Sequence, residues 1–183
     1  MPDFAWAHTL DTQVALAIAK GATPGLRAFM EGLSAAHGPR GIAVLTAAVA
    51  ALLIADRQRA DALWLLLVVF GGATLNHLLK HTIQRPRPGM EYLGAVATDF
   101  SFPSGHAANT TLLYGAMAVL LIRHVRAPGL RALPAAFAGS VVLLVGSSRL
   151  VLGAHRFSDV AAGVLLGVLV LAIGEGVRRA LQR

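Results

Sequence analysis

ALWLLLVVFGGATLNHLLK, residues 62–80, is the stretch that decides the fold. From Ala62 to Leu75 it carries no charge and a single hydroxyl, Thr74. Asn76 and His77 interrupt the run, Leu78-Leu79 resume it, and Lys80 ends it. About 20 mainly apolar residues cross a bilayer core as a helix. The stretch therefore reads as a spanning helix with a cation at its boundary.

The rest of the chain repeats this pattern. It has 183 residues, 56% of them hydrophobic, with a mean hydropathy of +0.65. A soluble domain of this length is rarely so apolar. Further apolar stretches run over residues 41–55, 106–122, 133–149 and 159–177. Several are short for a span and need flanking residues; the first extends backward from Arg40. Before them, residues 10–20 and 25–37 read as short amphipathic helices parted by Thr23-Pro24, where Pro24 suits a helix start. They lie on the membrane surface or form a soluble cap. The expectation is an all-α integral membrane bundle with five to six spanning helices. It forms one domain over 1–183, with interfacial helices in 1–39 and the bundle in 40–183. Gly163 and Gly167 form a GxxxG, which serves close packing inside the bundle or a dimer seam. No residue pattern specifies an oligomeric state.

Formal net charge is +7, and cysteine is absent, so no disulfide or thiol chemistry is available. The basic residues flank apolar segments instead of forming one stripe. That argues against nucleic acid as a partner and for anionic lipid head groups. Asp3 and Asp11 stand where a secretory signal has basic residues, and the apolar run that follows is short.

Following the spans from side to side puts the boundary at Lys80, the start at His106, the end at Arg149 and the start near Asp159 on one face. Arg57, Arg59, Arg123, Arg126, Arg131, Arg178, Arg179 and Arg183 fall on the other. The site face holds Lys80, Arg85, Arg87, Arg149 and Arg156 in its loops, with Lys20, Arg27 and Arg40 if the N-terminal helices are interfacial, which makes eight basic residues on each side. With three of those five loop cations set aside as functional, the loop bias favours the arginine-rich side as cytoplasmic. The first face then looks toward the periplasm or exterior of a bacterial inner membrane.

Three segments on that face carry chemistry. In Lys80–Pro88, an ammonium at a helix end and the Arg87 guanidinium can clamp a phosphate; the alternative is a snorkelling anchor at the head groups. In Pro103-Ser104-Gly105-His106, a helix start offers free backbone N–H groups, glycine permits close approach, and His106 can donate a proton. Ser104 is also a plausible simple N-cap. In Ser148–Asp159, His155 and Asp159 are four apart and share a face if helical. A carboxylate on one imidazole nitrogen leaves the other free to attack, and the pair is otherwise structural.

Together these segments resemble the type 2 phosphatidic acid phosphatase family, whose pattern is K-x6-RP, PSGH and SR-x5-H-x3-D. Lys80 to Arg87-Pro88, Pro103 to His106, and Ser148-Arg149 to His155 to Asp159 match it at every signature position. The departure is in the helix count, since many members have six spans. The resemblance implies that His155 attacks phosphorus to form a phosphohistidine and that Asp159 orients it. It implies that His106 protonates the leaving lipid oxygen and then activates water. Lys80, Arg87 and Arg149 would hold the phosphoryl oxygens, with Ser104 and Gly105 completing the cradle. The family is metal-independent, so no metal or cofactor is expected; Glu91, Asp99 and Asp159 are too few clustered loop carboxylates for a two-metal site.

The leading expectation is a lipid phosphate or diphosphate phosphatase, with undecaprenyl diphosphate as the first substrate. Phosphatidic acid, phosphatidylglycerophosphate and lipid A are its rivals. A phosphotransferase could use the same phosphohistidine. A non-catalytic lipid-phosphate binder would need the cations but not the His155–Asp159 pair. An intramembrane serine protease would leave three cations unexplained. Asn76, Asn109, His77 and His81 flank the site segments. His8, His37 and His124 read as solvated surface, Trp64 and Tyr92 as interfacial anchors, and Met90 with Tyr92 as a cap or lipid contact.

Overall fold

The computed structural model describes residues 5–88 and 100–181. Asp3, Met90, Glu91, Tyr92, Asp99 and Arg183 lie outside the described residues. The order is α1 (Ala5–Gly21), α2 (Pro24–Ala36), α3 (Pro39–Ala55), α4 (Arg59–Ile83), α5 (Gly105–Ile122), α6 (Ala132–Val151) and α7 (Phe157–Leu181). Helices α4, α5, α6 with the 3-10 turn before it, and α7 are long and apolar enough to cross a membrane. Helices α2 and α3 meet at a 53° bend and make a fifth crossing if counted as one broken span. The short first span does extend backward, but through a bend. The sixth crossing of the upper expectation is not among the described residues.

Local chemistry sets the helix ends. Thr23 caps α2 by accepting from the Leu26 amide at 3.2 Å, with Pro24 in the first turn, where its missing N–H costs nothing. Helix α4 runs past Lys80 to Ile83 and stops at Gln84, which adopts a left-handed conformation with φ 55°. The ammonium therefore sits in the last helical turn, favourably placed for the helix dipole.

Helix α5 is the hub and packs against α3, α4, α6 and α7. Leu65 and Val69 of α4 meet Leu112, Leu113 and Ala116 of α5 in a fully buried core. Leu67, Phe70, Leu143, Leu165 and Ile173 point outward, as suits a lipid-facing surface. The GxxxG of α7 packs inward: a Cβ on Gly163 would come 2.5 Å from the Ser104 carbonyl oxygen, and one on Gly167 2.7 Å from Thr111 Cβ. The two glycines let α7 lie directly on α5, which is the intrabundle reading of the motif.

At the end of the bundle away from Lys80, Arg123 pairs with Asp61 (3.1 Å) and Glu175 (3.4 Å), and Arg178 with Glu175 (2.8 Å). Trp64 is 7% exposed, donates to the Gly174 carbonyl at 3.0 Å and lies under the Arg178 guanidinium. Its reading as an interfacial anchor is thereby corrected. It bridges α4 to α7, because an indole N–H buried among helices needs an acceptor. These ties close one end of the bundle. At the other end α4 and α6 finish, α5 and α7 begin, and α1 and α2 pack against α6 and α7.

Candidate active site

His155 lies in the turn between α6 and α7 and is 4% exposed. Its Nδ1 is 3.7 Å from Asp159 Oδ2, within ion-pair range and longer than a hydrogen bond. Asp159 opens α7 and is fully buried. Its Oδ2 also accepts from the Arg156 amide at 2.9 Å, which fixes the carboxylate against the turn that carries His155. Burial pushes the His155 imidazole below its ordinary value, and Arg87 and Lys80 push the same way against the Asp159 carboxylate. The ring is thus neutral near pH 7, the form in which a nitrogen lone pair is available.

A cavity of about 440 Å3 opens in front of it, lined by Asn76, Lys80, Arg87, Gly105, His106, Asn109 and His155 together with His37, Pro39, Ala73 and His77. Five of the eight site residues read from the sequence are therefore on its wall. Lys80 donates to the Phe100 carbonyl at 2.5 Å, and Arg87 to the Ala154 carbonyl at 3.1 Å. Gly105 keeps the wall open, since a Cβ there would come 3.4 Å from Asn76 Oδ1 and 3.9 Å from Lys80 Cε.

Ser104, Arg149 and Asp159 stand behind that wall. Ser104 occupies the N-cap position of α5, but its side chain makes no cap hydrogen bond. Its hydroxyl is buried and has no partner among the described residues. The simple cap reading of Ser104 therefore lacks its bond. Its amide donates to the Asp159 carbonyl at 2.9 Å, tying the start of α5 to the start of α7. The Arg149 guanidinium donates to the Ser34 hydroxyl of α2, and its charge reaches His106.

Several participants went unread in the sequence. The sequence reads His37 as solvated surface. Instead it is half-buried, bonds the Tyr114 hydroxyl at 3.1 Å and lines the cavity. The bend between α2 and α3 brings it there. The sequence assigns Arg85 no role beyond a loop cation, and Asp11 none beyond weighing against a signal peptide. Both are 7% exposed, and their Nη2–Oδ2 separation is 3.0 Å. Arg85 also donates to Asp159 Oδ1 at 2.6 Å. Asp11 is the one acidic residue of α1, a mark that by itself says nothing of its partner. Asn76 Nδ2 and Asn109 Oδ1 are buried without partners among the described residues, and both residues border the cavity. Among the described residues no three His, Cys, Asp or Glu side chains cluster so as to hold a metal ion.

A helical membrane bundle with a cationic, imidazole-bearing cavity at one end has the architecture of an enzyme working on phosphate at the lipid boundary. Comparison with known proteins carries this further. The family model of the PAP2 superfamily matches residues 61–179. Phosphatidylglycerophosphatase B of Bacillus subtilis is 33% identical over 163 residues, covering 87% of this chain and 79% of that protein. Decaprenylphosphoryl-5-phosphoribose phosphatase of Mycobacterium tuberculosis is 35% identical over 167 residues, covering 87% and 85%. The crystal structure of a transmembrane PAP2-type phosphatidylglycerolphosphate phosphatase from Bacillus subtilis superposes with a TM-score of 0.84 at 30% identity, covering 98% of this chain and 89% of that one. The chain belongs to the PAP2 superfamily and is a membrane phosphatase.

Proposed function

We propose that the chain hydrolyses a terminal phosphate from a membrane lipid through a phosphohistidine at His155, without a metal ion. The observation that carries this is one cavity bordered by His155, His106, Lys80 and Arg87, with Asp159 behind His155. With Nδ1–H turned to Asp159, Nε2 of His155 keeps its lone pair and attacks phosphorus. The ester P–O bond breaks as the N–P bond forms, and His106 gives its proton to the leaving oxygen. A water then loses a proton to His106 and attacks phosphorus. The N–P bond breaks, and inorganic phosphate leaves with His155 neutral again. Lys80, Arg87 and Arg149 offset the charge on the phosphoryl oxygens throughout, assisted by the Gly105 amide and the Ser104 hydroxyl.

Phosphatidylglycerophosphate leads the substrate panel, ahead of undecaprenyl diphosphate, because a relative matched over 87% of the chain and a solved structure matched over 98% of it both carry that activity in their names. Polyprenyl phosphates follow from the mycobacterial relative. The test is phosphate release by purified protein in detergent with EDTA. The panel holds phosphatidylglycerophosphate, phosphatidic acid, undecaprenyl diphosphate and a lipid A phosphate. Turnover of at least one lipid, abolished in His155→Ala, is expected. Full release by His155→Ala removes the nucleophile assignment. Activity lost in EDTA and restored by magnesium removes the metal-free one. A second lipid offered as acceptor distinguishes hydrolysis from phosphotransfer.

A further inference from the structure

Asp159 is gripped from a part of the chain that the catalytic motifs do not include. Arg85, between α4 and the described start of α5, uses one nitrogen on the site: Nη1 donates to Asp159 Oδ1 at 2.6 Å and to Ser158 Oγ at 2.7 Å. Its other nitrogen, Nη2, donates to Asp11 Oδ2 of α1 at 3.0 Å. Asp11 also takes both polar groups of Ser158. The Ser158 amide donates to Oδ1 at 2.8 Å and the Ser158 hydroxyl to Oδ2 at 2.7 Å. Every member is buried: Asp11 and Arg85 at 7%, Ser158 at 6% and Asp159 at 0% exposure.

Two consequences follow from this geometry. First, an amide of the first turn of α7 has no partner within its own helix and is satisfied by a carboxylate from α1. Asp11 thus pins the helix that presents Asp159. Second, the buried Arg85 charge is shared between two carboxylates. If Asp11 lost its charge, Arg85 would have Asp159 as its only anionic partner in this group and would draw that carboxylate away from His155. Among the described residues, the other charged or titratable groups around the cluster are Arg156 and His155 on the turn, Lys80 and Arg87 across the imidazole, and His8 of α1, which lines the same cavity as Asp11. Arg156 is itself occupied with the Pro86 carbonyl at 2.9 Å. It is not free to replace Arg85.

We propose that Asp11 is a positioning residue for the phosphatase reaction, acting through Arg85 and Ser158 to hold the Asp159 carboxylate toward His155. Helix α1 is then a working part of the active site. This rests on the phosphohistidine reading above. A second cavity of about 500 Å3, walled by Asp11, Arg85, Leu16 and Phe157, also has His155 in its lining, so α1 and the nucleophile border one space.

The test compares Asp11→Asn, Asp11→Ala and Arg85→Lys with wild type, with Thr9→Ala, exposed on α1 and outside the cavity lining, as control. Phosphate release from phosphatidylglycerophosphate and from phosphatidic acid is measured in detergent and EDTA, normalised to folded protein by size exclusion and helical circular dichroism. Asp11→Asn keeps the shape and one acceptor but loses the charge. It is expected to lower kcat about 10- to 100-fold, the scale of a slightly misplaced reacting group, with KM changed less than about twofold. The acid limb of its kcat/KM profile shifts to lower pH, because Asp159, drawn toward Arg85, no longer raises the imidazole as much. Wild-type kcat and an unmoved acid limb in folded Asp11→Asn overturn the proposal. Losses in Asp11→Ala that merely follow the folded fraction, with Asp11→Asn normal, overturn it equally. In both cases an inactive His155→Ala leaves the phosphohistidine reading standing. An active His155→Ala takes down that reading and this proposal together.

Discussion

At the scale of single residues, burial shifts protonation in the candidate site, and several buried polar groups there have no partner among the described residues. His155 is held below its ordinary range chiefly by burial, with Asp159 opposing. On the proposed mechanism the neutral ring is the nucleophile, so rate falls as pH drops through the folded-state value. The acid limb of kcat/KM should therefore lie below about pH 6.5, the free histidine value. Asp159→Asn removes the carboxylate that raises it, so the limb should move to still lower pH while kcat drops. A limb moving upward in that variant would contradict the assignment. Ser104 offers a second residue-level prediction. Its hydroxyl makes no cap bond, so Ser104→Ala should spare the roughly 1 kcal/mol that a lost N-cap costs. It should instead lower kcat/KM at least about tenfold, as loss of one donor to a phosphoryl oxygen would. Thermal unfolding and steady-state kinetics on the same preparation separate the two.

At the scale of elements, the active end depends on how closely α7 lies against α5. The Ser104 amide bonds the Asp159 carbonyl, and Gly163 sits one turn further along α7 against the Ser104 carbonyl. Gly163→Ala should push the helices apart, cost on the order of 1–3 kcal/mol as overpacking does, and reduce turnover with it. Gly139→Ala on α6, where a Cβ would meet nothing within 4 Å, should leave both melting temperature and activity near wild type or gain slightly. Equal effects at the two positions would contradict the packing account. The same elements show what was legible beforehand. Lys80, His106, Arg149 and Asp159 could be read because each marks the end of an apolar run, and a run's end fixes its side of the membrane. Helix ends were read short, since the apolar pattern stops at Lys80 whereas the hydrogen-bonded helix continues to Ile83. Asp11 could not be read, because its partner Ser158 is 147 residues away and the contact exists only once α1 folds over the α6–α7 turn. His37 escaped for the same reason: its partner Tyr114 is 77 residues away and meets it only beneath the α2–α3 bend.

At the scale of the whole molecule, the two ends of the bundle are built for opposite tasks, and this bears on which way it faces. One end is closed by Asp61, Arg123, Glu175 and Arg178 around Trp64. The other holds the cavity and its cations. Paired or not, the arginines of the closed end count toward the positive-inside bias, because acidic residues contribute little to it. The loops at that end also carry Arg57, Arg59, Arg126 and Arg131. The site should therefore open away from the cytoplasm. The absence of cysteine makes this directly measurable, since one introduced thiol is the only one in the chain. Thr82 is exposed in the last turn of α4, beside the site, and Ala127 is exposed in the connection between α5 and α6 at the closed end. In intact cells, Thr82→Cys should react with a membrane-impermeant maleimide, and Ala127→Cys only after permeabilisation. Both variants should keep wild-type phosphate release, since neither position borders the cavity. The reverse labelling pattern would turn the site toward the cytoplasm. The lipid would then be dephosphorylated in the cytoplasmic leaflet, and the positive-inside argument for this chain would fail.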